Sequence, residues 1–404
     1  MGEARGRHYG MDWLRIGAFQ LLILYHVGMA FVPWDFQVKD ANPPIGWATV
    51  PMLLTNPWRL SLLFAVSGYA SAALFARQEE GVGAFLLSRL ARLGIPLLFG
   101  MAVLVTPQPW VWLVTHFGYG DDFGTFLLRD YYSFQSISGV IVPTWMHLWF
   151  VAYLLGYTIV LAALLSLPEP VRKAGRNLCE RLLGGPGLLP LGILFVYASR
   201  GWINPGWEEN HLFYGDWSAH ANYFPVFLFG YVLRGSEPIR IAIGRWWPTA
   251  AVVAVVGWLV LAWFELTFGT ELAPPALWPL HGFARALESW GAMIALIGVA
   301  DRYWNVDNRW RPMLAEAVFP FYLIHQTIII IVGYWLLATD TAPLTRFLIL
   351  VTATVAGCWA FYLGGREVRW LRPLIGLKAK PDRRTAPVSS PAEARPALDA
   401  GPSR

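Results

Sequence analysis

Long apolar stretches separated by short polar segments recur along the chain from about residue 16 to residue 364. A helix of about 20 apolar residues is long enough to cross a bilayer. We predict ten spans, several of them short, at 16–34, 53–75, 93–114, 145–167, 187–200, 222–234, 247–268, 285–300, 314–338 and 346–364. The pattern therefore predicts an all-α, polytopic membrane helix bundle.

Composition agrees with this class and indicates one domain. The chain has 404 residues, of which 56% are hydrophobic and 14% are charged, well below the roughly 25% charged residues of soluble domains. No long polar block interrupts the apolar segments, so we predict a single transmembrane domain over residues 1–365. Residues 366–404 are first basic and then rich in Pro, Ala and Ser, which predicts a disordered cytoplasmic tail.

The positive charge follows the predicted topology. With a cytoplasmic N-terminus, 25 of the 31 Lys and Arg residues fall inside, and six fall outside. Positive residues favour the cytoplasmic side, so we predict a multi-pass protein of the cell (inner) membrane with both termini in the cytoplasm. The net charge of +5 then reports orientation and contact with lipid headgroups, and we expect no nucleic-acid partner. The six outside residues are Lys39, Arg59, Arg129, Arg200, Arg285 and Arg346.

The first span carries three polar residues with a helical spacing. Arg15 and His26 are eleven residues apart, which puts them on nearly one helix face about 16 Å apart. Such groups are costly in hydrocarbon, so we expect them to face a polar cavity. Asp12 precedes Arg15 by three residues and can hold its guanidinium. His26 is either a buried histidine that fixes packing or a general base, and its neighbour Arg15 favours the base.

A pair of arginines begins the third predicted span. Arg89 and Arg92 lie one turn apart, so two guanidinium groups on one face can bind phosphate or pyrophosphate. The alternative is that both are ordinary anchors on the cytoplasmic side of a span.

Further polar residues lie within or beside later spans. Ser67 and Tyr69 flank a glycine in FAVSGY, where close helix packing is favoured over a place in a cavity wall. His147, two residues before Trp149, and His325 either extend a polar path through the bundle or are satisfied locally.

The predicted external segment 207–220 is also polar. Its composition allows a metal site, but the spacing matches no strong ligand pattern, so an open substrate mouth is the simpler interpretation. We predict no metal site. The residues concerned are Glu208, Glu209, His211, Asp216 and His220.

Motifs of several other enzyme classes are absent from the sequence. There is no Walker loop, no dinucleotide fingerprint and no HExxH, and Ser67 is not in a Gly-x-Ser-x-Gly context. ATP hydrolysis, zinc proteolysis and a bound redox cofactor are therefore unsupported, and we expect no permanently bound cofactor. Cys179 and Cys358 lie in a predicted loop and in the last span, so no disulfide framework is implied.

Five motifs in order together resemble one family, the integral-membrane acyltransferase family 3, and within it the glucan-modifying, succinyltransferase-like branch. They are MDWLR with Arg15-x10-His26, LLFAVSGY, RLARLGIPLL, HLWFVAYLL and FYLIH. The resemblance implies a bundle of about ten helices. It also implies transfer of an acyl group, commonly acetyl or succinyl, from cytoplasmic acyl-CoA to a hydroxyl of an exported or surface glycan or of a lipid.

The resemblance also implies roles for individual residues. His26 corresponds to the catalytic histidine and Arg15 to its partner, and Asp12 completes this predicted group. Arg89 and Arg92 correspond to the pair that engages the phosphates of coenzyme A. Lining of the substrate cavity is expected from Ser67, Tyr69, His147, Trp149 and His325.

Two other classes of function compete with an acyltransferase. A proton-coupled transporter or lipid flippase would also need intramembrane His and Arg side chains, but the sequence shows no inverted repeat and no matching pair of broken helices. A purely structural membrane subunit would tolerate the loss of His26.

Overall fold

The computed structural model describes residues 8–40, 42–201, 209–269, 271 and 273–379. It confirms the predicted all-α architecture, to which the described residues add one short hairpin, β1 (Ser136–Ile137) paired antiparallel with β2 (Val140–Ile141). The helices are α1 (Tyr9–Met29), α2 (Thr49–Leu53), α3 (Asn56–Phe75), α4 (Gly81–Phe99), α5 (Pro107–Phe117), α6 (Phe123–Thr125), α7 (Trp149–Leu165), α8 (Glu169–Leu183), α9 (Leu188–Gly201), α10 (Trp217–Gly235), α11 (Glu237–Phe268), α12 (Trp278–Tyr303), α13 (Arg311–Leu336), α14 (Pro343–Glu367) and α15 (Leu371–Leu374).

Seven helical stretches of the described chain are long and apolar enough to cross a membrane, and an eighth is formed if α8 and α9, bent by 106°, are one span. The predicted number of ten is therefore not confirmed. α1 has 21 residues but is not among these stretches, because its charged and polar side chains make it less apolar than they are. The seven stretches are Gly46–Phe75, Gly81–Leu104, Met146–Leu165, Glu237–Phe268, Pro275–Tyr303, Arg311–Leu336 and Pro343–Glu367.

The third span differs from its predicted bounds of 93–114. Its helix begins at Gly81 and continues through a π-helical turn at Gly100–Leu104. α5 then starts as a separate helix at Pro107, since proline cannot donate the backbone hydrogen bond that would continue the preceding helix. Arg89 and Arg92 consequently lie inside α4, two to three turns from its start.

The contacts of α1 define the two ends of the bundle. Its first turns meet the start of α13, where Asp12 contacts Arg311. Near its last turn, the hydroxyl of Tyr25 accepts a hydrogen bond from Asn56 at the start of α3. Thus α1 and α13 run in one direction and α3 in the opposite one. We call the end where α1 and α13 begin the first end, and the other the second end; the predicted topology makes the first end cytoplasmic.

The glycine of the FAVSGY motif makes a close helix contact. A Cβ atom added to Gly68 would lie 1.9 Å from the carbonyl oxygen of Phe227 in α10. In return, a Cβ on Gly230 of α10 would lie 1.9 Å from the carbonyl oxygen of Ala65. The backbones of α3 and α10 therefore touch, as small residues permit in membrane bundles.

Two cations, the half-buried Lys39 and the buried Arg346, fix the segment after α1. The ammonium group of Lys39 donates to the carbonyls of Met29 and Trp34 at 2.9 and 2.6 Å, which places a positive charge at the C-terminus of α1. Asp40 pairs with Arg346 of α14 at 3.1 Å, and both side chains are buried. These contacts fix residues 35–37 over the second end.

The packed bundle continues beyond residue 365. α14 ends at Glu367, α15 follows it, and Ile375 and Leu377 are buried in the core. The predicted disordered tail from about residue 380 lies outside the described residues.

Candidate active site

A cavity of about 370 Å³ opens at the second end of the bundle. It receives His26 from α1, Asp35 and Gln37 from the segment after α1, and Arg59 from α3. His147 and Trp149, with Gln326 of α13 and His211 from the segment before α10, complete its polar and aromatic wall. The first and fourth predicted spans therefore meet at one site, although 121 residues separate His26 from His147.

His26 is held between two rings. Its imidazole stacks on His325 with ring centroids 5.2 Å apart, and the ring of Phe36 lies 6.5 Å away and nearly parallel to it. The His26 Nδ1 atom is 3.0 Å from the His325 Nε2 atom. This pair forms because the last turns of α1 pack against the middle of α13.

The partners of His325 determine which nitrogen of His26 is a base. The Nδ1 atom of His325 lies 2.9 Å from the backbone carbonyl of Tyr322. A carbonyl only accepts, so this nitrogen carries the hydrogen, and in a neutral ring Nε2 is then the acceptor. His26 must therefore donate from Nδ1, which leaves its Nε2 atom unprotonated. That atom makes no hydrogen bond in the described chain, and His26 faces the cavity.

His147 is oriented by the same carbonyl. Its Nε2 atom donates to Tyr322 at 3.1 Å, and its Nδ1 atom accepts from the side-chain amide of Gln108 at 3.0 Å. Gln108 also donates to Thr327 at 2.7 Å. In addition, the hydroxyl of Tyr322 donates to the backbone carbonyl of His147. A buried polar network thus extends from the cavity through the facing helices.

Arg15 and Asp12 lie on the face of α1 that carries His26, as their spacing predicts, because all three contact α13. They are at the first end, however, far from the cavity. Arg15 donates to the backbone carbonyl of Ala315 at 2.9 Å. Asp12 accepts from Arg311 at 2.6 Å, an interhelical partner that the spacing of Asp12 and Arg15 could not reveal.

Arg89 and Arg92 also lie toward the first end and are not among the residues that line the cavity. Arg89 is half-buried, and its Nε atom has no hydrogen-bond partner in the described chain. Arg92 is exposed and interacts electrostatically with Glu316 of α13. Glu316 is nine residues before His325, so the arginine pair is roughly 14 Å from the histidines along the helix axis.

Of the residues predicted to line the cavity, His147 and Trp149 do so, whereas Ser67, Tyr69 and His325 are not among its lining residues. The ring of Tyr69 lies 5.2 Å from the guanidinium of Arg234 and 6.4 Å from the ring of His8, at the first end. The carbonyl of Ser67 accepts from Ser71 at 2.9 Å. Ser67 and Tyr69 lie about two to three turns past Arg59 along α3 and so are distant from a cavity at its start.

The predicted external segment contributes one residue to the cavity. His211 lines it and stacks on Trp149 with ring centroids 4.0 Å apart. Asp216 and His220 instead face Tyr153 and fasten the segment to α7. Glu208 lies outside the described residues. Within the described ranges, no group of three or more His, Cys, Asp or Glu side chains could hold a metal ion.

Glu209 joins that segment to neighbouring helices through hydrogen bonds and an ion pair. It accepts hydrogen bonds from Tyr223 and Asn222 at 2.8 and 3.1 Å and pairs with Arg200 at 3.5 Å. Burial alone would raise the pKa of Glu209, but the imidazole of His211 at 3.7 Å, the charge of Arg200 and the hydrogen bond from Tyr223 outweigh it and lower the pKa to about 2. The carboxylate is therefore ionised at neutral pH.

Several residues of the site were not singled out from the sequence. Arg59 was counted only as an external positive charge, and Tyr322, which orients both buried histidines, lies three residues before His325 in FYLIH. No sequence signal marks the remaining members, which are Asp35, Gln37, Gln108 and Gln326.

The structure is a polytopic bundle with a polar, histidine-containing cavity. A sequence profile of the acyltransferase domain matches residues 8–363, so the chain belongs to this family, the integral-membrane acyltransferase family 3 that its motifs resemble. An enzyme, rather than a transporter or a structural subunit, is therefore the class to which it is assigned.

Individual proteins also have sequences similar to that of this chain. The chain is 27% identical over 364 residues to glucans biosynthesis protein C of Escherichia coli O139:H28 (strain E24377A / ETEC), an alignment that covers 85% of this chain and 87% of that protein. The protein of the same name from Escherichia coli O6:K15:H31 (strain 536 / UPEC) is 27% identical over 152 residues, 38% of this chain and 37% of that protein. No solved structure matches the chain.

Proposed function

We propose that the protein transfers an acyl group, acetyl or succinyl, from acyl-CoA to a hydroxyl group of an exported or surface glycan at the inner membrane. The observation that carries this proposal is the His26–His325 pair, which leaves a basic nitrogen at the surface of a cavity large enough for a substrate. The family supplies the reaction class, and the geometry supplies the candidate base.

His26 acts on the attacking hydroxyl. Its Nε2 atom removes the hydroxyl proton while the oxygen forms a bond to the thioester carbonyl carbon. The carbon–sulfur bond then breaks, and the departing thiolate takes the proton back from the imidazolium. General-base catalysis of this kind contributes typically about 10²- to 10⁴-fold.

Arg89 and Arg92 are the proposed site for the phosphates of coenzyme A. The Nε atom of Arg89 is a buried donor without a partner in the described chain, and a phosphate oxygen would satisfy it. The pair lies toward the first end, where the predicted topology places the cytoplasm. The pantetheine arm would then extend about 14 Å along α13 toward His26.

The glycan acceptor is proposed to enter from the second end, which the predicted topology places outside. Gln326 is buried in the cavity wall, and its Oε1 atom has no hydrogen-bond partner in the described chain, so it can accept from a sugar hydroxyl. Trp112 and Trp149 offer flat apolar surfaces beside it. The name of the similar Escherichia coli protein also favours a glucan over a lipid acceptor.

Mass spectrometry of glycans and polar lipids tests this proposal. Cells would carry the wild-type protein, the His26→Ala variant or no protein, at equal membrane abundance of the two proteins. A glycan ester that is found only with the wild type supports the proposal and identifies the acyl group. An ester confined to lipids would refute the glycan acceptor, and unchanged esters in all three strains would refute acyl transfer.

A further inference from the structure

Arg59 is a buried cation in the wall of the cavity. It lies in the first turn of α3 and is 5% exposed. Of the described residues that line the cavity, it alone is a lysine or arginine. Its Nε and Nη1 atoms make no hydrogen bond in the described chain, although a guanidinium has five N–H donors. A charge so buried is costly unless an anion pairs with it.

The position of Arg59 is fixed by neighbours that do not neutralise it. Its guanidinium carbon lies 3.5 Å from the centre of the Tyr25 ring, a cation–π contact that leaves the Nε and Nη1 atoms without a hydrogen-bond partner in the described chain. The Tyr25 hydroxyl accepts a hydrogen bond from the side-chain amide of Asn56 at 2.5 Å. The amide oxygen of Asn56 accepts a hydrogen bond from Arg285 at 3.1 Å. The aromatic ring and its support thus hold Arg59 in place.

No carboxylate of the described chain pairs with Arg59. Asp35 shares the cavity but is exposed and forms no ion pair with Arg59 within 4.0 Å. Arg346, a second cation at this end, shows the contrast, because it is equally buried and is paired with Asp40 at 3.1 Å. An anion from outside the described chain can therefore pair with Arg59.

We propose that Arg59 is an anion subsite that binds a carboxylate or phosphate group carried by the substrate. This inference rests on the proposed function, because the subsite lies in the same cavity as His26 and Tyr25 connects the two. The anion has two possible sources: the far end of a dicarboxylic acyl group on the donor, or a charged substituent of the glycan acceptor. Either would be fixed next to the reacting hydroxyl by charge-assisted hydrogen bonds from the guanidinium.

A binding experiment tests the subsite without turnover. The melting temperature of the detergent-solubilised full chain would be measured with millimolar succinate or neutral succinamide. Succinate is expected to raise the melting temperature of the wild type by about 2–4 °C and succinamide is not. Arg59→Met should abolish the shift, and Arg129→Met, which removes an exposed arginine elsewhere at the second end, should retain it. An unchanged shift in Arg59→Met, or no shift in the wild type, would overturn the proposal.

A kinetic experiment then identifies the source of the anion. Succinyl-CoA and butyryl-CoA differ in the terminal carboxylate, and each is offered with a neutral glucan and with a glucan that carries anionic substituents. Arg59→Met is expected to lower kcat/KM by about 10- to 100-fold for the anionic substrate and only slightly for its neutral counterpart. Dependence on the donor charge assigns the acyl carboxylate, and dependence on the acceptor charge assigns the glycan.

Two outcomes separate this inference from the proposed function. An equal loss with every substrate, also in Arg59→Lys, would contradict an anion subsite while acyl transfer itself stands. Anion-dependent stabilisation that requires Arg59, in a protein with no acyl transfer to any acceptor, would keep the subsite and refute the proposed function.

Discussion

The Nδ1 atom of His26 lies 3.0 Å from the Nε2 atom of His325, a residue 299 positions later in the chain. One hydrogen lies between the two rings, and it belongs to His26 because His325 donates its own hydrogen to a backbone carbonyl. The contact thus orients the His26 ring and sets its tautomer, in the way that a carboxylate orients the histidine of a catalytic triad. His325 is therefore a positioning residue.

Substitution of His325 tests this role. We expect His325→Leu to lower kcat by about 10- to 100-fold, with little change in the KM for acyl-CoA, because the base loses its orientation. His325→Gln should retain more activity, since its amide oxygen can accept from His26 in place of Nε2. Steady-state kinetics on equally abundant proteins make the comparison. Equal losses in both variants would contradict a tautomer-setting role.

Arg89 and Arg92 are expected to be required for the thermal stabilisation of the protein by coenzyme A. Addition of coenzyme A is expected to raise the melting temperature of the solubilised wild type, because a ligand stabilises the state that binds it. Arg89→Ala combined with Arg92→Ala should remove the shift. Arg181→Ala, an exposed arginine on α8, is the matched control and should retain it. A shift that survives in the double variant would place the phosphates elsewhere.

Because α3 and α10 are in close contact, we predict that alanine substitutions at Gly68 and Gly94 differ in their effect on stability. Gly68→Ala should lower stability by about 1–3 kcal/mol, because the new methyl group would meet the backbone of Phe227. Gly94→Ala in α4 should be neutral or stabilising, since its added methyl would meet only Leu155, at 4.0 Å, and alanine favours helix. Thermal unfolding in detergent compares them. Equal stability of the two variants would argue against the close contact.

We predict that the contribution of Glu209 to the stability of the protein depends on pH. Its pKa is lowered to about 2, so its stabilisation is fully present above the ordinary carboxyl pKa and declines as the pH falls toward 2. Glu209→Gln should therefore lower the free energy of unfolding by about 1–2 kcal/mol at pH 7 and by less at pH 3, which thermal unfolding at the two pH values measures. A difference that grows on acidification would contradict the assignment.

The sequence was sufficient to predict what depends on local spacing. The length and apolarity of the segments predict an all-α membrane bundle, and the eleven-residue interval predicts that Arg15 and His26 share a face. The structure agrees, because both side chains contact α13. The glycine of FAVSGY likewise indicates close packing, and Gly68 touches α10.

What depends on tertiary contact could not be predicted. The partner of His26 comes from α13, and nothing in FYLIH marks it as the neighbour of the first helix. Arg59 was counted only as a positive charge at the outer end of the second predicted span, yet it is buried, because the first turn of α3 lies inside the wall of the cavity. The third span was misplaced because its apolar run continues across the break before Pro107.

The most direct test of the central claim is acyl transfer by His26→Asn. The amide nitrogen of asparagine can take the place of Nδ1 and donate to His325, whereas asparagine has no counterpart of the basic Nε2 atom. The account predicts that His26→Asn and His26→Ala both lose at least about 10²-fold of the rate of ester formation while the protein stays inserted at wild-type abundance. A His26→Asn variant with near-normal transfer would contradict the assignment of His26 as the general base.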